Sequence, residues 1–352
     1  MGDVNVDDLL NEIQPDQPCG ENLEYDAAFI AFLKLAAGKP EQVMGKTTIP
    51  GEAPDWREVE KAALALSSRT HDLRVGLLLT ESQLHTRYYA GLRTGLTLIE
   101  GMLERYWDTL NPPLDPEDDN DPTMRVNIIS TLIDPARFLH VLRTVPLVQS
   151  PSVGRFSLWD LAVAKGDIPP PKGTEPPKLE LIEAAFTSSD LEVLQATALD
   201  IDQALERVKG VERTLTDRVG VSNSINLGDL QRVLFEAKQA MAERIAPRQA
   251  AIDAANLAAE EEGAAGDAAS GGEGGAARPA RGISGEVQTR QDVVQMLDKL
   301  MAYYSKNEPS SPVPILLGRA KRLATMDFLQ IMENISPDAM TQVQVLRGPG
   351  EE

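Results

Sequence analysis

Leu84, Tyr88, Leu92, Leu96, Ile99, Leu103, Tyr106 and Leu110 follow one another at steps of three or four residues without a gap. That spacing puts all of them on one face of an α-helix, and a strand with period two cannot present them together. The stripe predicts one long helix ending at Asn111-Pro112-Pro113, because proline removes the backbone donor that a helix needs. Gly91, Gly95 and Gly101 lie off the stripe. Each costs about 1 kcal/mol of helix stability relative to Ala, so another helix is expected to approach closely there. Trp56 to Leu66 reads as a shorter amphipathic helix that Asp55 can cap. The one β feature expected is a small hairpin, Leu147-Val148 against Phe156-Ser157-Leu158, around a Ser-Pro-Ser-Val-Gly turn. The fold class expected is all-α.

Two composition shifts divide the chain. Gly166 to Pro177, GDIPPPKGTEPP, interrupts the helical pattern. Residues 263–285 are mostly Gly and Ala, and such a stretch cannot bury enough apolar surface to offset its ordering entropy. The expected organisation is a helical domain at 1–165, a Pro-rich break at 166–177, a middle segment at 178–250, a flexible Ala/Gly linker at 251–285 and a C-terminal module at 286–352. In the middle segment Leu191, Leu194, Ala198, Ile201, Leu205 and Val208 alternate close to a 3.5 repeat, and Leu230, Val233, Ala237 and Met241 carry a matching stripe. A seam this narrow suits an antiparallel helical hairpin, Asp190–Asp217 against Asp229–Arg248.

In the C-terminal module Val293, Met296, Leu297, Leu300 and Tyr304 line one helix face. Glu308-Pro309-Ser310-Ser311-Pro312 follows, in which Ser311 can cap a second helix; Asp327 can cap a third. Domains of this size usually need a disulfide, a metal or oligomerisation. The whole chain holds one Cys and three His, so self-association is the expected staple, through Val293, Met296, Leu297, Leu300, Tyr304 and the Pro309, Ser310, Ser311, Pro312 turn. Arg319, Lys321 and Arg322 cluster on the second helix and are candidate contacts for an acidic partner surface.

Catalytic and ligand motifs fail when tested. Gly45-Lys46-Thr47 resembles the end of a P-loop, but Pro40 occupies the position where that loop needs Gly. The preceding residues are expected to be helical, so a surface loop is the expectation. The acidic run Asp115–Pro122 has Asn120 and Val126 where an EF-hand needs Gly and Glu; it reads as a solvated loop with Asp121 capping the next helix. His71, His85 and His140 carry no nucleophile signature, and Cys19 has Glu21 as its nearest charge. Trp56, Trp107 and Trp159 sit beside apolar stripes as core residues. No enzyme activity, metal or cofactor is expected. The net charge of −20 over 352 residues, from 34 Lys+Arg and 54 Asp+Glu, repels phosphate backbones and makes nucleic acid a poor partner. The N-terminus has no basic and apolar leader, and nowhere do 18 apolar residues run together, so neither a signal peptide nor membrane insertion is expected. Seven Lys/Arg and nine Asp/Glu fall in 286–352, a net of −2 that favours packing of identical copies.

Several ordered stretches carry a family resemblance. Pro18-Cys19-Gly20-Glu21-Asn22-Leu23-Glu24-Tyr25-Asp26, Asp55-Trp56-Arg57, Asp72-Leu73-Arg74-Val75, Arg105-Tyr106-Trp107-Asp108 and Leu114-Asp115-Pro116 through Asp119-Asn120-Asp121-Pro122-Thr123 resemble the ImpA N-terminal domain. That domain defines the TssA proteins of bacterial type VI secretion systems. Tyr303-Tyr304, Glu308 to Pro314 and Arg319-Ala320-Lys321-Arg322-Leu323 resemble the tail of the shorter TssA subclass. The resemblance implies a cytoplasmic, non-catalytic assembly factor whose C-terminal domain forms a homo-oligomeric ring. Its implied partners are baseplate subunits, the Hcp tube and the TssB/TssC contractile sheath. The long extension of the larger members is lacking here, which favours a baseplate-associated or sheath-stabilising role over a distal cap. The alternative is a monomeric or low-order adaptor that binds one partner through its N-terminal helices.

Overall fold

Short polar side chains start most of the helices. In this computed structural model the described residues are 4–39, 42–44, 47–267, 296–297, 299–301, 303 and 313–325. Helix α1, Val6–Leu9, is capped by Asn5, and α2, Ala27–Ala37, by Asp26, whose carboxylate accepts the Ala28 N–H at 2.8 Å. Helix α3, Trp56–Ser67, begins at Asp55, which accepts from Arg57 N and Glu58 N as the sequence predicts. Between α2 and α3, β1 (Gln42–Met44) pairs antiparallel with β2 (Thr47–Ile49). This corrects the expected plain loop there, and Gly45-Lys46 lies outside the described residues.

The long stripe is helical, but it is not one straight helix. Helix α4, Leu73–Tyr106, breaks at Tyr88, where φ is 57° and ψ is −130°. A Cβ added at Gly91 would lie 2.1 Å from the Gln83 carbonyl oxygen, one at Gly95 2.4 Å from Thr80 Oγ1, and one at Gly76 3.1 Å from Met102 Sδ. Rising numbers on one side meet falling numbers on the other, so the two arms of α4 are antiparallel. The helix that approaches Gly91 and Gly95 is the first arm of their own stripe. Gly101 instead faces the Leu10 side chain. Periodicity misses the reversal because both arms have the same 3.6-residue repeat and no Gly or Pro marks the turn. Leu84, Leu92, Leu96, Ile99, Leu103 and Leu110 are all fully buried. Each contributes roughly 2 kcal/mol from the apolar area it removes from water.

After α4 come α5 (Thr123–Ser130), a 3-10 turn at Thr131–Ile133 and α6 (Phe138–Thr144). Arg125 of α5 is fully buried and holds the end of α4. Its Nε donates to the Pro112 carbonyl at 2.8 Å, and its other two nitrogens donate to the carbonyls of Trp107 and Leu110. Cations suit a helix C-terminus, where carbonyls point outward unpaired. The expected small hairpin is present as β3 (Pro146–Ser150) against β4 (Gly154–Ser157). Leu158 does not extend β4 but starts α7, Leu158–Lys165, through a capping box between Ser157 and Asp160. Gly166 ends α7 in the left-handed region, and residues 167–178 run without helix to α8, Leu179–Ser188.

Helices α9 (Leu191–Val219) and α10 (Gly228–Asp267) form the antiparallel pair that their stripes predict. Gln195 meets Gln249 at 2.7 Å at one end, and Gln231 bonds Glu212 towards the other. α9 also lies along α4, with Arg207 bonded to Glu100 and Arg93 to Asp200, both at 2.8 Å. Residues 1–268 therefore gather into one compact unit across the Pro-rich segment. α10 continues as helix through 251–267, where an unstructured tether is expected, because Ala has the highest helix propensity. The second unit, 269–352, contains α11, Val313–Thr325. A Cβ at its Gly318 would sit 3.7 Å from Met301 Cε of the preceding helical residues.

Candidate interaction surfaces

The buried reactive groups are held as structural parts. Cys19 is buried beside the Thr109 hydroxyl at 3.3 Å, and burial raises its thiol, which keeps it protonated and a weak nucleophile. His71 stacks on Tyr106 and approaches the Asn11 carbonyl at 2.9 Å through Nε2, while burial lowers its pKa. His85 stacks on Trp56 with ring centroids 4.3 Å apart. Burial, and then the charge of Arg137, lower it to about 4, so the ring is neutral at pH 7. His140 meets Trp159 edge-on at 5.5 Å. None of the three is hydrogen-bonded to a hydroxyl or thiol. Trp107 is buried under the Arg125 guanidinium, whose carbon lies 4.9 Å from the ring centre. Among the described residues no group of three His, Cys, Asp or Glu side chains gathers as a metal site. In the acidic loop, the Asp115 side chain accepts the Glu117 N–H and Asp121 bonds Thr123, which are turn and helix-entry contacts.

Of the grooves among the described residues of the N-terminal unit, two bear on binding. One, of about 570 Å³, runs between α1, the second arm of α4 and α9, and its walls include Asp7, Arg93, Glu100, Arg105 and Arg207. Its arginines are already paired: Arg207 with Glu100, Arg93 with Asp200 and Arg87 with Glu60, while Arg105 lies 4.0 Å from Asp7. The other is smaller and almost wholly apolar, about 180 Å³, between α2, the first arm of α4 and the α5–α6 region. Periodicity does not point to it, since its residues come from stretches about forty to fifty positions apart.

The expected self-association residues are only partly described. Met296, Leu297 and Leu300 are helical; the first two are half-buried and Leu300 is exposed. Tyr303 and Leu316, at 56% and 65% exposure, add large apolar surface to the same unit. Val293, Tyr304, Pro309, Ser310, Ser311 and Pro312 lie outside the described residues. Arg319, Lys321 and Arg322 all fall on α11, with Arg319 exposed and Lys321 half-buried; the Arg322 side chain is outside the described set.

Comparison with known proteins decides the family. Residues 10–134 match the family "ImpA, N-terminal, type VI secretion system". Over 360 aligned positions the chain is 40% identical to type VI secretion system component TssA1 of Pseudomonas aeruginosa, covering all of both sequences. The chain belongs to the TssA family. The correspondence runs through the C-terminal unit as well as the ImpA region. A solved structure supports the fold of the first unit: the N-terminal domain that includes the ImpA region of TssA from Burkholderia cenocepacia. It superposes with a TM-score of 0.57 at 24% identity, over 70% of this chain and 96% of that one. Among the described residues no helix is long and apolar enough to cross a membrane.

Proposed function

We propose that this chain is a non-enzymatic, ring-forming scaffold of the type VI secretion machine, working in the cytoplasm. In this reading the C-terminal unit, 286–352, closes into a homo-oligomeric ring. Each copy contributes one N-terminal unit for contact with baseplate subunits, the Hcp tube and the TssB/TssC sheath. The observation that carries the reading is the end-to-end match to a type VI component, tail included. The exposed Leu300, Tyr303 and Leu316 support it, because apolar side chains gathered on so small a unit are surface that a second copy can cover. A ring repeats every contact, so individually weak N-terminal contacts add up to strong binding of a symmetric target. Arg319, Lys321 and Arg322 are the residues offered to an acidic partner.

Light scattering on the full-length protein tests this. The expected result is a large, defined oligomer that falls to a monomer when the chain is stopped at Asp267. Leu300→Asp combined with Leu316→Asp should lower the mass while the helical circular dichroism is kept. A monomeric full-length chain would overturn the ring and leave the single-partner adaptor.

A further inference from the structure

The apolar groove belongs to the N-terminal unit, outside the module proposed to close the ring, and its lining describes an occupant. Its floor is Leu77 and Leu78 of α4, with Leu33 of α2 on one side and Ile128 of α5 on the other. One turn from Leu33 and from Ile128 stands an exposed apolar side chain. Ile30 precedes Leu33 by one helical turn and is 39% exposed; Met124 precedes Ile128 by one turn and is 52% exposed. Ile30 with Leu33 and Met124 with Ile128 have the i, i+3 and i, i+4 spacing of one helix face, and an amphipathic helix packs residues of the same spacing against such positions. At about 180 Å³ the cavity is smaller than the roughly 300–1,000 Å³ of small-molecule sites, which points to side chains of a macromolecule.

Charge selects among helices. Glu81 lines the groove with 4% of its side chain exposed, while its partner Arg137 stands outermost at 49%. Arg137 grips Glu81 through two bonds of 2.7 and 2.8 Å, which fixes its guanidinium at the edge of the groove. Lys34, next to Leu33, is exposed and has no ion-pair partner among the described residues. Arg74 is matched by Asp72 and, at 4.0 Å, by the 40%-exposed Glu24, so the outward positive charge at the rim comes from Arg137 and Lys34, on a chain whose net charge is −20. A second copy set groove to groove would bring Lys34 and Arg137 against themselves.

We infer that the groove between α2 and α5 is a docking site for an amphipathic helix of a partner protein, with its apolar face flanked by carboxylates. Leu33, Leu78 and Ile128 take the apolar anchors, and Lys34 and Arg137 meet the acidic flanks. The site stands independently of ring formation.

The test uses the full-length protein and a fluorescein-labelled 16-residue helical peptide with Leu at i, i+3, i+4 and i+7 and Glu on both flanks. A second peptide carries Lys in place of each Glu. Fluorescence anisotropy should show saturable binding of the Glu peptide, at least tenfold weaker binding of the Lys peptide, and a further tenfold loss with Ile30→Asp plus Met124→Asp. Lys34→Glu, a surface change that leaves the core untouched, should narrow the difference between the peptides about threefold; circular dichroism melting verifies that each variant is folded. Failure of the Glu peptide to bind, equal binding of both peptides, or binding unaffected by these substitutions would overturn the proposal. A fall in the light-scattering mass of the groove variants would also overturn it, because the occupant would then be another copy of the chain.

Discussion

Helices α4 and α9 carry apolar stripes of similar length and spacing, yet α4 folds back on itself and α9 runs straight from Leu191 to Val219. Both stripes step by three or four residues, and the difference that matters is where side chains are missing. In α4, glycines at 91 and 95 let the second arm pack directly on Gln83 and Thr80, and that packing holds Tyr88 at positive φ. A strained residue of this kind costs about 1–3 kcal/mol and persists only when the surroundings hold it. α9 holds one glycine, Gly210, and its close neighbour is the Glu100 side chain and not a backbone. A helix turns back where its own backbone can be approached, and stays straight where other helices supply both neighbours.

The contrast between the two helices breaks most severely at Gly91. Gly91→Leu drives a side chain into the Gln83 carbonyl and should cost about 3 kcal/mol or more, read as a lower urea midpoint at unchanged slope. Arg125→Met tests the far end of the same hairpin. It leaves the carbonyls of Trp107, Leu110 and Pro112 without their donor and should cost about 3 kcal/mol by the same measurement. A loss below about 0.5 kcal/mol would mean that the end of α4 needs no staple. Gly210→Ala should cost only about 1 kcal/mol, because the tip of Glu100 can move, although its bond to Arg207 is lost, and Ala favours the helix.

Tyr88 gives the sharpest discrimination for its size. Inside a straight helix Ala is about 1 kcal/mol better than Gly. At φ 57° the order reverses, so Tyr88→Gly should be about 1 kcal/mol more stable than Tyr88→Ala. The opposite ranking would mean that the two arms form one continuous helix. The pH dependence of stability probes His85, which follows Leu84 at the turn end of the first arm. Its folded pKa of about 4 lies below the ordinary 6.5, so the unfolded chain binds the extra proton between these values. Stability should therefore fall as pH drops from 6.5 towards 4, and His85→Phe should flatten that part of the profile. An unchanged slope would show that the Trp56–His85 stack does not bury the ring in solution.

Much of the first unit was legible in the residues. Asp55 before Trp56 and the matched stripes of α9 and α10 each appear where local chemistry dictates, because caps, turns and periodicity act within a few positions. The turn at Tyr88 was not legible, since nothing in its neighbours favours positive φ. The docking of α9 on α4 was equally hidden. Its signals are Gly210 and the buried Glu100, which read singly as an ordinary helix glycine and one acid among 54. The candidate groove brings Leu33, Leu78 and Ile128 together from three helices, and no local rule relates them. In the C-terminal unit the stripe marks Leu300, whereas the exposure of Tyr303 and Leu316 is a property of the fold.

By itself the sequence determined an all-α chain with one small hairpin between β3 and β4, its main helices, and its membership of a family recognisable from ordered motifs. Tertiary structure alone decided that the longest stripe doubles back, that the middle helices join the N-terminal ones in a single unit, and that an apolar groove edged by the Arg137–Glu81 pair lies between α2 and α5. The division has one physical cause. Helix formation is set by interactions three or four residues apart, whereas the reversal, the docking and the groove depend on contacts between distant residues.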